Sequence, residues 1–124
     1  MLREIINVRQ IPDESRRRWF EDDLLDLIVW LDESGSITGF QLCYDKYRDE
    51  HALTWQRRGG FSHRRVDDGE YCSNRHKGTP VLLPDGLIDS TRIRDAFKNR
   101  STTIDQQVAV FVSQRLSLLD DYAN

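Results

Sequence analysis

The residues with the most chemical capacity in this chain are Asp26, Trp30, Gln41, Thr54, His63 and Arg65, with Cys43 among them. A strand register argued below puts them on one face of a sheet. A carboxylate, an indole, an amide, a hydroxyl, an imidazole and a guanidinium on one surface could hold a small polar ligand. The competing reading is an ordinary solvated sheet face, where such residues belong in any case. Downstream, His63, Asp67, Asp68 and Glu70 form a second concentration, with Cys72 and His76 beyond them. Imidazoles and carboxylates are the ligands of borderline and hard divalent ions, and Asp67, Asp68 and Glu70 are close enough in sequence to share one. The spacing matches neither a HExxH helix nor an EF-hand loop, and Asp-Asp-Gly-Glu is also plain turn chemistry. Cys43 with His51 or His63, and Asp26 as orienting acid, has the residue types of a thiol–imidazole pair. A mid-strand cysteine more commonly behaves as a small apolar side chain.

Charge is unevenly distributed. Residues 13–33 hold eight acids and three arginines, whereas residues 57–77 hold six basic residues and three acids. Arg57, Arg58, Arg64, Arg65, Arg75 and Lys77 could meet an anionic ligand, an RNA strand or single-stranded DNA. The net charge of −3 opposes a general electrostatic grip on nucleic acid. No glycine-rich phosphate loop is present; Arg58-Gly59-Gly60-Phe61 alone is too little.

The elements that would position these groups can be read from hydrophobic period. Ile5 to Ile11 reads as a first strand, closed by Pro12-Asp13, and Glu14 to Asp23 is open between strand and irregular crossing. Leu24 to Leu31 and Ile37 to Tyr44 read as a hairpin about Ser34-Gly35, where glycine supplies the positive φ of a tight turn. Leu27 then faces Leu42 and Val29 faces Phe40, which gathers Leu25, Leu27, Val29, Leu31, Phe40, Leu42 and Tyr44 on one apolar face. A slip by one residue would mix the faces. His51 to Gln56 and Phe61 to Val66 continue the meander around Arg57 to Gly60, which places Thr54 opposite His63. Trp55 joins the apolar face, and Trp30 the polar one.

Asp67 to Gly78 has no period and reads as a loop, and Thr79 to Leu83 as a short strand ended by Pro84-Asp85-Gly86. Asp89 or Ser90 can cap a helix to about Asn99, with Ile93, Ala96 and Phe97 inward. Thr103 and Gln106 have the form of a capping box for a second helix to about Asp120. Its stripe is Ile104, Val108, Phe111, Val112, Arg115, Leu118 and Leu119, which suits packing on the apolar sheet face. The expectation is therefore one α+β domain over residues 1–124. An antiparallel meander of about five strands, open or curled, occupies about 2–83, and C-terminal helices occupy about 89–120.

The chain has 124 residues, 38% of them hydrophobic, with three tryptophans, four tyrosines and five phenylalanines, enough large side chains for a core. MLREIINVRQ has the form of neither a signal nor a transit peptide, and the longest apolar stretch, Leu27 to Leu31, is far short of a membrane span. Two cysteines without metal-type spacing imply free thiols in a reducing cytoplasm.

Gly39 to Tyr44 with Asp45-Lys46, then Glu50 to Trp55 and Gly60 to His63, resemble a group of small hypothetical bacterial proteins, over roughly residues 16–70. The resemblance implies a bacterial, cytoplasmic protein and no particular activity. The function expected is a non-catalytic binding or interaction domain for a small polar ligand or a protein partner, without a cofactor or membrane. The alternatives are a small hydrolase using a divalent metal on His63 and the nearby carboxylates, and RNA or single-stranded DNA binding through the arginine-rich turn.

Overall fold

The computed structural model describes residues 1–46, 50–65, 79–80 in backbone, and 90–119. The strands are β1 (Arg3–Glu4), β2 (Arg16–Glu21), β3 (Asp26–Leu31), β4 (Ile37–Tyr44), β5 (His51–Gln56), β6 (Gly60–Arg65) and β7 (Thr79–Pro80). They form one antiparallel sheet whose spatial order is the sequence order, an open meander. Two helices follow, α1 (Ser90–Arg100) and α2 (Gln106–Leu116). The α+β class is as expected. The count of about five strands becomes seven: Arg16–Glu21, in the segment left open between strand and irregular crossing, is a full strand, and a strand of two residues stands at each edge.

The hairpin between β3 and β4 has the expected register: Leu27 pairs with Leu42 and Val29 with Phe40. Gly35 takes a φ of 87° at its turn. Asp32 closes that turn, its Oδ1 accepting from the Ser34 and Ser36 amides and the Ser34 hydroxyl. A bulge between Trp30 and Leu31 absorbs the extra residue, so that Leu31 faces Ile37. Across β4 and β5, Gln41 pairs with Thr54 and Phe40 with Trp55, again as read from the sequence.

The next hairpin differs. Gln56 pairs with Gly60, so the connection is the three residues Arg57, Arg58 and Gly59 rather than four. The Gly59 amide donates to the Gln56 carbonyl, and Gly60 takes a φ of 69°, a left-handed conformation that glycine adopts without strain. Because side chains alternate with period two, that single residue moves every side chain of β6 to the other face. Leu53, not Thr54, faces His63, and His51 faces Arg65.

The N-terminal segment also departs from expectation. Only Arg3–Glu4 is a strand; the Ile5 amide adds one bond to the Trp19 carbonyl, and the chain then turns at Asn7 with a φ of 63°. Ile6 is 82% exposed, so Ile5 to Ile11 never forms an apolar face. Instead the Gln10 side chain imitates a strand: its amide donates to the Arg17 carbonyl and accepts from the Arg17 amide, both at 2.9 Å. This occupies part of the edge of β2 that would otherwise be open to another chain.

The core lies between one sheet face and the two helices. Phe20, Leu27, Val29, Phe40, Leu42 and Leu53 are fully buried there with Phe97, Val112, Leu116 and Leu119. Trp55 meets Phe111 edge-on at 5.4 Å, fixing α2 over this face. Arg115, the polar member of the α2 stripe, lays its guanidinium over the Trp55 and Phe111 rings at 5.0 and 4.6 Å. The stripe itself is corrected at its end: Leu116 is buried and Leu118 is 41% exposed. The α2 cap is Asp105, whose carboxylate accepts from the Gln107 amide, so Thr103 and Gln106 do not form a capping box. Thr103 donates to the Leu2 carbonyl instead.

Two arginines tie the layers together. Arg18 on β2 reaches Glu4 on β1 and Asp105 at the start of α2, and Arg100 at the end of α1 reaches Asp22 and Asp23. No helix among the described residues is long and apolar enough to cross a membrane.

Candidate functional site

The far face of the sheet is not the solvated surface that its polar residues suggested. Ile28, Cys43 and Ala52 are fully buried there, with Trp30 at 3%, Gln41 at 1%, and Asp26 and Thr54 at 8% exposed. Gln41 and Thr54 are neighbours as expected, with the Thr54 hydroxyl donating to the Gln41 side-chain carbonyl at 3.3 Å. Gln41 in turn points its amide at the Cys43 sulfur, 3.8 Å away. Buried polar atoms so engaged satisfy one another rather than waiting for a ligand.

His63 and Arg65 do not belong to this row. The shorter turn puts Ser62 and Arg64 in the places expected for them, and carries His63 and Arg65 to the helix-facing side. Cys43 and the histidines are therefore on opposite faces. Cys43 is also disulfide-bonded rather than a free thiol. The thiol–imidazole arrangement and the free-thiol expectation are both set aside by these two observations. Asp67, Asp68 and Glu70 lie outside the described residues, as do Cys72, His76 and the loop to Gly78. Among the described residues no three metal-type ligands come together.

Two arrangements remain. The first joins His63 to residues that the sequence had left apart. Tyr44, His51 and His63 stack with nearly parallel rings, the two imidazoles 4.8 Å apart between centroids and 3° apart in plane. The Tyr44 hydroxyl hydrogen-bonds His63 Nε2, and Arg92 of α1 lies over the Tyr44 ring while holding Asp45 by two bonds of 2.9 Å. Burial, and secondarily the neighbouring His51, push the His63 imidazole down to about 4. A neutral ring protonated on Nδ1 accepts a hydrogen bond from the Tyr44 hydroxyl at Nε2. Two imidazoles ligating one ion must each aim an in-plane nitrogen at it. Rings stacked in parallel planes do not, so one would have to rotate before a metal could bind the pair.

The low His63 value has a definite sign. The unfolded chain binds the proton with an ordinary imidazole affinity, and the folded chain resists it. The stabilisation is complete above about pH 6.5 and is lost as the pH falls towards about 4. Discounted for screening at a partly buried ring, it amounts to about 1–2 kcal/mol. We expect the wild-type protein to lose that much more stability than His63→Gln between pH 7.5 and pH 4.5 in urea melts. Equal losses would show that His63 titrates normally.

The second arrangement lies at the other end of the sheet, on its other face. A crevice of about 330 Å³ opens where the β3–β4 and β5–β6 turns approach one another. Trp30 and Gly39 line it with Thr38 and Gln56, and Arg57 and Arg58 line it from the β5–β6 turn. A side chain at Gly39 would put its Cβ 2.8 Å from the Trp55 carbonyl oxygen and 3.4 Å from the Trp30 ring. The missing side chain therefore lets the strands close while Trp30 lies against the gap. Arg57 is positioned by its own bond to the Ile37 carbonyl at 3.0 Å and by Asp32 at 3.8 Å. Hydrogen bonds from Ser34 and Ser36 hold the Asp32 carboxyl below the usual carboxylate range, so it is an anion committed to its turn. Arg58 is exposed and makes no hydrogen bond or ion pair among the described residues.

Of the expected ligand-binding residues, Trp30 alone lines this crevice. Asp26 is paired with Lys46 at 3.2 Å, well down the sheet. Arg57 and Arg58 sit at the crevice, whereas Arg64 and Arg65 are at the opposite end of β6 on alternate faces. These four arginines of the expected basic turn are thus divided between two ends and two faces of the sheet. The fold is an α+β meander covered on one face by two helices. No family model, curated protein or solved structure matches the chain.

Proposed function

We propose that this protein is a non-catalytic binding domain, with its ligand held in the crevice beside Trp30. The observation that carries this reading is the chemistry of the lining. An apolar floor, hydroxyls, an amide and two guanidiniums offer contacts and orientation to a small molecule, on a lining more polar than most such sites have. The one carboxylate present, Asp32, is saturated by its turn and unsuited to carry a proton at neutral pH. The histidine stack, the other concentration of titratable groups, sits at the far end and on the other face.

Purified protein should give no turnover of ester, phosphoester or peptide substrates above that of His63→Ala, with or without Zn²⁺, Mn²⁺ or Mg²⁺. Steady turnover abolished by His63→Ala would overturn the reading in favour of a metal-assisted hydrolase. For the compartment we propose the bacterial cytoplasm, on the resemblance. The disulfide at Cys43 weighs against it, because a reducing cytoplasm keeps thiols free.

A further inference from the structure

We infer that the crevice beside Trp30 takes a small organic oxyanion, a carboxylate or phosphate carried on an apolar carbon frame. This rests on the binding-domain reading and narrows it to a ligand class. Two guanidiniums face one carboxylate at the mouth, so the rim carries a net positive charge. The carboxylate cannot neutralise both. Asp32 Oδ1 already accepts three hydrogen bonds, and Oδ2 stands 3.8 Å from Arg57. Arg57 spends a further donor on the Ile37 carbonyl, which fixes it as part of the wall.

Arg58 is the group left to receive a ligand. Its planar fork matches the two oxygens of a carboxylate or phosphate, and such charge-assisted pairs are short and strong. Beneath it, Trp30 is almost wholly buried, so the indole supplies an apolar floor rather than an open stacking face. The absence of a side chain at Gly39 keeps that floor clear. A volume of about 330 Å³ is at the lower end for small-molecule sites. It suits a compact ring or short chain bearing one anionic group.

The test is a ¹⁵N-resolved NMR titration with three probes: phenyl phosphate, benzamide as the neutral ring, and inorganic phosphate as the anion without a frame. Phenyl phosphate should move the amides of Thr38, Gly39 and residues 56–59, and bind about tenfold tighter than either control, a difference of about 1.4 kcal/mol. Arg58→Ala, at an exposed position without a described partner, should fold normally and weaken phenyl phosphate by about tenfold or more. Unmoved amides, equal affinity in Arg58→Ala, or controls that bind as well as phenyl phosphate would each overturn the inference. Those outcomes are separate from the failure of the binding-domain reading, which would show as His63-dependent turnover.

Discussion

Replacing Lys46 with methionine is expected to cost the fold about 3 kcal/mol at neutral pH, and much of that cost should disappear on acidification. Lys46 reaches back over β3 to Asp26, Nζ to Oδ1 at 3.2 Å, and donates to the Asp22 carbonyl at 2.8 Å. Both side chains of the pair are only 11% exposed. Burial pushes the Asp26 carboxyl up, Lys46 pulls it back, and Glu21 adds a smaller upward push. Without the ammonium, a buried carboxylate would lose its cation and keep only the weaker help of the Trp19 side chain, the case in which removing one partner costs most. Its remaining escape is to take up a proton.

The sign follows from that. A carboxyl whose folded pKa lies above the unfolded one binds the proton more firmly in the native state, so lowering the pH stabilises the fold through this group. Lys46→Met should raise Asp26 further and widen the effect. Urea melts of the wild type, Lys46→Met and the double variant Asp26→Asn/Lys46→Met at pH 7.5 and pH 5 separate the contributions. The single variant should recover stability relative to wild type at the lower pH, and the double variant should show little such recovery. A loss below about 1 kcal/mol at both pH values would mean that solvent already screens the pair as it does on a surface.

The part of this architecture that could be read from sequence is the part where two signals agree. In β3 and β4 the apolar alternation and the Ser34-Gly35 turn specify the same pairing, and the structure has it. In β5 and β6 the signals conflict. Gly59 and Gly60 can each end the turn, and Phe61 and Val66 in FSHRRV stand at opposite parity, so each apolar residue favours a different register. The pairing of Phe61 with Trp55 in the core decides it. Weight on the larger aromatic would have put His63 on the helix-facing side with Tyr44 and His51, and Arg65 with it. A second signal lay in β3: DLIVWL has an unbroken apolar run, which alternation cannot explain and burial on both faces does.

The candidate site was less accessible than the fold for a physical reason. Its members come from two turns and a missing side chain, not from a periodic element. Trp30 could be assigned to the right face from register alone. Arg57 and Arg58 were visible as charge in a turn, but whether a turn residue lines a crevice depends on how neighbouring turns approach in space. Gly39 has no signature at all within ITGFQLCY, because what matters is the Cβ contact with the Trp55 carbonyl that its absence avoids. Cys43 misled for the opposite reason, since burial and a disulfide both suit a mid-strand cysteine and composition does not separate them.

Reduction of the Cys43 disulfide should lower stability by about 2–4 kcal/mol, and the same loss should follow from Cys43→Ala. The residue sits on the central strand between Asp26 of β3 and Ala52 of β5, fully buried. Trimming one sulfur there leaves a small void whose own cost is about 1 kcal/mol or less, so most of the loss belongs to the cross-link. The bond restricts the unfolded chain far more than the folded one, and that difference is what reduction removes. Denaturant melts with and without dithiothreitol distinguish the two contributions. Dithiothreitol should destabilise the wild type and leave Cys43→Ala unchanged. A wild-type midpoint indifferent to reductant would mean that the bond adds nothing to the fold. The same chemistry decides the compartment: protein alkylated in denaturant at the moment of lysis carries adducts on its cysteines if the cytoplasm kept them reduced. If they escape alkylation, the bond forms in the cell and the oxidising side of the membrane becomes the better assignment.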